Sequence, residues 1–160
     1  MITKIKPNLF KLEFSKFGSI VYLLKLETRN ILIDTSSKEN NQELLQDLKQ
    51  LNINPEDIQI ILLTHSHYDH NENINLFPNA EIITGKNINK LPLEIKPIST
   101  PGHTKDSLCF LYNDVLFSGD TIFYNGGRGR TDLPGGSEAE IQKSIKKLKE
   151  IDYRILCPGH

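Results

Sequence analysis

Ile58-Gln59-Ile60-Ile61-Leu62-Leu63-Thr64-His65-Ser66-His67-Tyr68-Asp69-His70 runs a short apolar segment directly into a cluster of metal-ligand side chains. The apolar part, 58–63, is brief and rich in β-branched residues, the composition of a buried strand. The polar part places three histidines and one aspartate within six positions, 65–70. His65 and His67 are two apart, so an extended backbone turns both imidazoles to the same side. Asp69 and His70 follow where the chain must bend. Neutral imidazole and carboxylate are ligands of Zn²⁺ and also suit iron and manganese. A single histidine is ordinarily a surface or core residue. Three of them with an aspartate, on a loop that follows a strand, point to metal binding.

Three other segments supply the same residue types. His103 lies in Thr100-Pro101-Gly102-His103-Thr104, Asp120 in Phe117-Ser118-Gly119-Asp120-Thr121, and His160 in Pro158-Gly159-His160. Each follows a predicted strand, and a glycine before each ligand lets the backbone turn sharply. Alone each is a weak signal; the three gain weight by joining the first cluster. Strands are predicted at 9–14, 20–26, 30–34, 80–84, 94–98, 107–112, 115–118 and 154–157. A helix over 39–51 carries Leu44, Leu45, Leu48 and Leu51 on one face. Ser137-Glu138-Ala139-Glu140 reads as a capping box, opening a helix with Ile141, Ile145 and Leu148 on one stripe. Strands interleaved with two or three helices indicate an α/β (α+β) layered domain.

The 160 residues fit one domain, 1–160. Hydrophobic residues are 38% and charged residues 24%, which excludes global disorder and permits a packed core without a stapling disulfide. Lys and Arg (19) balance Asp and Glu (20), so no broad basic stripe for nucleic acid is expected. No apolar run is longer than Ile20-Val21-Tyr22-Leu23-Leu24, which is too short to span a bilayer, and 1–7 lacks the apolar run of a signal peptide. The expected compartment is therefore cytoplasmic. Cys109 and Cys157 form no Cys-x-x-Cys pair and read as buried apolar residues.

In their order along the chain, His65-x-His67-x-Asp69-His70, Pro101-Gly102-His103-Thr104, Ser118-Gly119-Asp120-Thr121 and Pro158-Gly159-His160 resemble the motifs of the metallo-β-lactamase superfamily. The resemblance implies a four-layer αβ/βα sandwich with metals at one edge. It implies that His65, His67 and His103 hold a first metal, that Asp69, His70 and His160 hold a second, and that Asp120 bridges them. Ile31-Leu32-Ile33-Asp34-Thr35 resembles the family strand whose aspartate, here Asp34, supports the ligands from behind. With Asp120 as bridge, the chain is most similar to the glyoxalase II-like hydrolases. The Gly-rich segment 126–136 also resembles the persulfide dioxygenases, which use one iron. Relatives continue beyond the position of His160, often with a helical substrate-binding domain, so the resemblance carries no glutathione specificity.

Two divalent ions, Zn²⁺ foremost, held about 3.5–4 Å apart make water a nucleophile near neutral pH. Asp69, Asp120 and a hydroxide leave such a pair net positive, which favours a small anionic substrate; Asp69 and Asp120 are the candidate catalytic carboxylates. With all five histidines on metal, none remains to protonate a leaving group. A thiolate needs no such help, its conjugate acid having a pKa of about 8.5. The expected reaction is hydrolysis of a small thioester or activated ester, like that of hydroxyacylglutathione hydrolase. The alternative is a mononuclear persulfide dioxygenase with one Fe²⁺ on His65, His103 and Asp120. A non-catalytic interaction module would not need the full ligand set. Arg128 is a candidate clamp for a substrate carboxylate; Arg130 reads as a structural partner of Asp132, and Tyr68 and Tyr124 as packing residues. Exposed sheet edges leave room for a homodimer. Neither nucleic acid nor membrane is an expected partner.

Overall fold

In the computed structural model, which describes residues 1–160, the chain divides into two compact units, one formed by 1–63 and 67–83, the other by 64–66 and 84–160. The first unit contains β1 (Ile2–Lys6), β2 (Leu9–Leu12), β3 (Val21–Lys25), β4 (Asn30–Ile33), α1 (Asn41–Gln50), β5 (Ile58–Leu62), α2 (Tyr68–Asn71) and β6 (Glu81–Ile83). Its six strands lie in the order β1-β2-β3-β4-β5-β6. The first four form an antiparallel meander, and β5 and β6 continue it with parallel pairing. The register sets Leu23 beside Leu32 and Leu32 beside Ile61. This row packs against Leu44 and Leu48 of α1. The alternate residues Tyr22, Leu24, Ile31, Ile33 and Leu62 are buried as well, which is why these strands read as continuous apolar runs.

Two features depart from expectation. The helix predicted from 39 begins at Asn41, after a 3₁₀ turn at Lys38–Asn40. Asn40 is fully buried, and its side-chain amide donates to Lys16 O and Ser36 Oγ, holding the preceding loop instead of capping the helix. Strand β1 was not anticipated. It is an edge strand with lysines at 4 and 6, and its pairing with β2 supplies what its alternation alone does not.

The second unit contains β7 (Ile95–Ser99), β8 (Leu108–Tyr112), β9 (Val115–Gly119), α3 (Glu138–Leu148) and β10 (Ile155–Pro158), in the sheet order β10-β9-β8-β7. Leu148 of α3 packs on Cys109 and Leu116, a burial worth about 1.5–3 kcal/mol. Both cysteines are buried and free of disulfide, and burial pushes the Cys109 thiol up to about 11. The capping box is half formed. Ser137 Oγ accepts from the Glu140 N–H at 3.3 Å. The Ser137 N–H is already committed to Gly102 O at 2.8 Å, and Glu140 takes Lys143 instead. The start of α3 is thereby tied to the turn that carries His103. That turn requires glycine: at φ +140° a Cβ on Gly102 would stand 2.3 Å from the Ile141 nitrogen of α3.

Strand direction explains where the ligands fall. β7 and β8 are antiparallel, β8 and β9 are antiparallel, and β9 and β10 are parallel. The C-terminal ends of β7, β9 and β10 therefore share one edge of the sheet. His103, Asp120 and His160 each follow one of those ends. In the first unit β4 and β5 run parallel, so Asp34 and the start of the 64–70 segment leave that sheet side by side, with the Asp34 N–H on Leu62 O at 2.9 Å.

Candidate metal centre

Four of the expected ligands belong to the second unit. His65, His103 and Asp120 are 3%, 3% and 8% exposed. His103 Nε2 and His160 Nε2 face the same oxygen of Asp120, Oδ2, at 3.4 and 3.6 Å. A donor atom of His65 lies within 4.8 Å of one on His103 and of one on Asp120, and the His65 and His103 rings meet edge to face with centroids 4.9 Å apart. Ligands of a tetrahedral ion, each about 2.0–2.2 Å from it, stand about 3.3–3.6 Å from one another. The Asp120 spacings match that value.

The proton positions fit as well. His103 Nδ1 is 2.7 Å from Arg130 O. A carbonyl only accepts, so Nδ1 is the donor there, and Nε2 is the ring nitrogen turned toward the Asp120 carboxylate. A positive charge, whether a proton or a metal ion, holds such a nitrogen and a carboxylate oxygen face to face. His65 Nδ1 is likewise engaged, with Thr64 Oγ1 at 3.0 Å. The backbone is shaped for close approach. A Cβ on Gly129 would lie 2.3 Å from Asp120 O and 2.6 Å from His103 Nδ1. The Gly129 N–H donates to Asp120 O at 2.8 Å, and the Gly159 N–H to Gly119 O at 2.8 Å. Phe123 meets the His160 ring edge-on at 6.3 Å.

The first unit holds the other three ligands and Asp34. Asp69 and His70 sit in α2, 7% and 0% exposed; His67, its N-cap residue, is half-buried. His70 Nε2 is 3.9 Å from Asp69 Oδ2. Its Nδ1 lies 2.8 Å from Asp34 Oδ2, so the carboxylate orients the ring in the way that metal-ligating histidines are commonly oriented. The Thr35 N–H donates to His70 O at 2.7 Å and the Ser19 N–H to Asp69 O at 2.8 Å. Asn73, which sequence reasoning did not single out, donates to Thr35 O at 2.8 Å and Ser37 O at 2.7 Å. It pins the segment after Asp34, where Asp34 and Ser36 take the left-handed conformation (φ 60° and 63°). Asp69 and His70 in the first unit, and His65, His103, Asp120 and His160 in the second, are thus imidazoles and carboxylates of the kind that hold metal ions.

The two arginines are engaged elsewhere. Arg128 Nη2 donates to Glu138 Oε1 at 2.8 Å. Arg130 clamps both oxygens of Asp132, at 2.7 and 2.6 Å, and holds that carboxyl at about 2. Tyr68 and Tyr124 are exposed and not packed as expected; each is 60% accessible.

The superfamily model for the metallo-beta-lactamase superfamily matches residues 16–85 and 74–160. The chain belongs to that superfamily. It is 36% identical over 143 residues to a probable metallo-hydrolase of Methanocaldococcus jannaschii, a match covering 81% of this chain and 70% of the relative. It is 34% identical over 118 residues to a hydroxyacylglutathione hydrolase of Pseudoalteromonas translucida, covering 61% of this chain and 45% of that enzyme. Among solved structures, a metallo-beta-lactamase family protein of Thermus thermophilus superposes with a TM-score of 0.83 over 98% of this chain and 74% of its own, at 19% identity. The expected superfamily and its two-sheet α/β fold are thus established. No helix is long and apolar enough to cross a membrane.

Proposed function

We propose that this metallo-β-lactamase superfamily member is a two-metal hydrolase of small thioesters or activated esters. His65, His67 and His103 would hold one ion, Asp69, His70 and His160 the other, with Asp120 shared between them. The pair of divalent ions, Zn²⁺ foremost, would supply Lewis acidity and make water nucleophilic near neutral pH. The observation that carries the reading is the single Asp120 oxygen faced by the Nε2 atoms of both His103 and His160.

The chain's own groups fill supporting roles. Arg130 O and Asp34 engage Nδ1 of His103 and His70, fixing the orientation of both rings. The two aspartates among the ligands lower the charge of the centre without cancelling it, so an anionic substrate is attracted. All five histidines serve as ligands, so no imidazole is left to protonate a departing group. That favours a thiolate, whose conjugate acid has a pKa of about 8.5, over an amide nitrogen. The relative named hydroxyacylglutathione hydrolase cleaves a bond of this kind by its name, which supports the thioester class.

The test is metal quantification on untagged protein beside three substrates: a glutathione thioester, a lactone and glutathione persulfide. About two zinc per chain with thioester or lactone turnover is the expected result. One iron per chain with persulfide-dependent oxygen uptake would replace the proposal with an oxygenase, and turnover confined to simple amides would overturn the leaving-group argument.

A further inference from the structure

Beside the ligands of the second unit lies a cavity of about 540 Å³ that carries two unpaired cations. Its lining includes Ser66, Lys86, Ile88, Lys105, Asp106 and Leu108. Ser66 directly follows His65, and Lys105 is two residues beyond His103. Both lysines are exposed, and neither ammonium makes an ion pair. This contrasts with Arg128 and Arg130, whose guanidinium groups are committed to Glu138 and Asp132.

The lysines stand on turns held by side-chain hydrogen bonds. Around Lys86, the Thr84 N–H donates to Asn87 Oδ1 at 2.8 Å and the Lys86 N–H to Thr84 Oγ1 at 3.2 Å. Around Lys105, the Thr104 N–H donates to Ser107 Oγ at 3.1 Å and the two hydroxyls share a bond of 2.8 Å. Backbone fixed in advance lowers the ordering cost of binding. Two ammonium groups against the one carboxylate of Asp106 leave the cavity net positive, while Ile88 and Leu108 give it an apolar wall. An ammonium is a point charge without the fork of a guanidinium, so the site selects for negative charge more than for planar shape.

We propose that this cavity binds the multiply anionic carrier of the substrate, with Lys86 and Lys105 as specificity-determining contacts. The inference rests on the thioester reading and adds the class of its leaving group: an acidic thiol bearing carboxylates or phosphates. The catalytic ligands themselves are not part of it.

The experiment uses thioethers, which hold the carrier but offer no bond to cleave. Binding of S-hexylglutathione (carboxylates), S-hexyl-coenzyme A (phosphates) and neutral N-acetyl-S-hexylcysteamine to the metal-loaded chain is measured by calorimetry at low ionic strength, where exposed charges are least screened. At least one anionic thioether should bind. Its affinity should fall about tenfold or more in a Lys86→Ala/Lys105→Ala double variant, be restored in Lys86→Arg/Lys105→Arg, and rise in Asp106→Asn. Which anionic thioether binds names the carrier. The inference is overturned if neither binds, if the alanine variant binds as the wild type does, or if it loses the neutral thioether by the same factor. If lysine-dependent binding persists while no thioester is turned over, the hydrolase reading fails and the cavity stands. If thioesters are turned over with an unchanged KM in the alanine variant, the cavity reading fails and the hydrolase stands.

Discussion

His70 and His160 are expected to serve the same ion, yet the protein holds them very differently. The His70 side chain is fully buried; its ring is oriented by Asp34, and its carbonyl accepts from the Thr35 N–H. The His160 side chain is 29% exposed and lies edge-on to Phe123, on a backbone located by the Gly159 N–H. His103 resembles His70, with Arg130 O in the part that Asp34 plays. The contrast teaches that the centre is not uniformly stiff. A ligand fixed by a hydrogen bond in full burial arrives in one orientation, while one that is partly exposed to solvent retains more freedom. The binding of a metal should therefore order His160 more than His70.

The largest effect is expected where the stiff side is broken by volume. In Gly129→Ala the new Cβ meets Asp120 O and His103 Nδ1 at distances that no real contact tolerates, so the backbone must shift and Arg130 O must leave His103. A displacement of about 1 Å at a reacting centre costs about 100-fold in rate. Turnover should fall by at least that factor while circular dichroism still reports a folded chain. A variant with near-normal rate would show that the loop does not hold His103. Next is Asp34→Asn, which preserves size but replaces a carboxylate with an amide behind His70. Loss of such a partner costs about 10–100-fold in metal affinity. A competition titration with a chromophoric chelator should show one weakened site and one unchanged site; equal weakening of both would contradict the ligand assignment.

The sequence carried the first cluster plainly because three histidines and an aspartate fall within six residues after a strand. Gly102-His103, Gly119-Asp120 and Gly159-His160 had meaning only together, since strand direction, not local pattern, brings their parent strand ends to one edge. The long apolar strands and the Ser137 helix start were legible from composition and spacing. Strand β1 was not, because an edge strand with alternating lysines earns its place by pairing with β2. Helix α2 was not, because four residues contain too little of a 3.6-residue period to detect. The partners of the ligand rings divide the same way. Asp34 has a charged side chain in a recognisable strand, whereas the acceptor for His103 is the main-chain carbonyl of Arg130, which any residue could supply. Lys86 and Lys105 lie 19 residues apart on separate turns, so nothing in the linear order joins them.

The smallest expected effect tests the compliant side. Removing the ring that meets His160, in Phe123→Ala, forfeits an aromatic edge contact worth about 0.5–1.5 kcal/mol, a factor of about 2 to 10. The loss should fall on the same metal site that Asp34→Asn weakens, but be smaller, because Phe123 restrains a ring that a bound ion would itself hold in place. Combining the two substitutions sharpens the point. If His70 and His160 serve one ion, both losses act on that ion's binding, and the double variant should release it with the other site still filled, as read by metal content after dialysis against a weak chelator. If Phe123→Ala instead weakens binding as much as Asp34→Asn, then packing holds a ligand as firmly as a buried hydrogen bond does, and the asymmetry drawn between these two histidines is wrong.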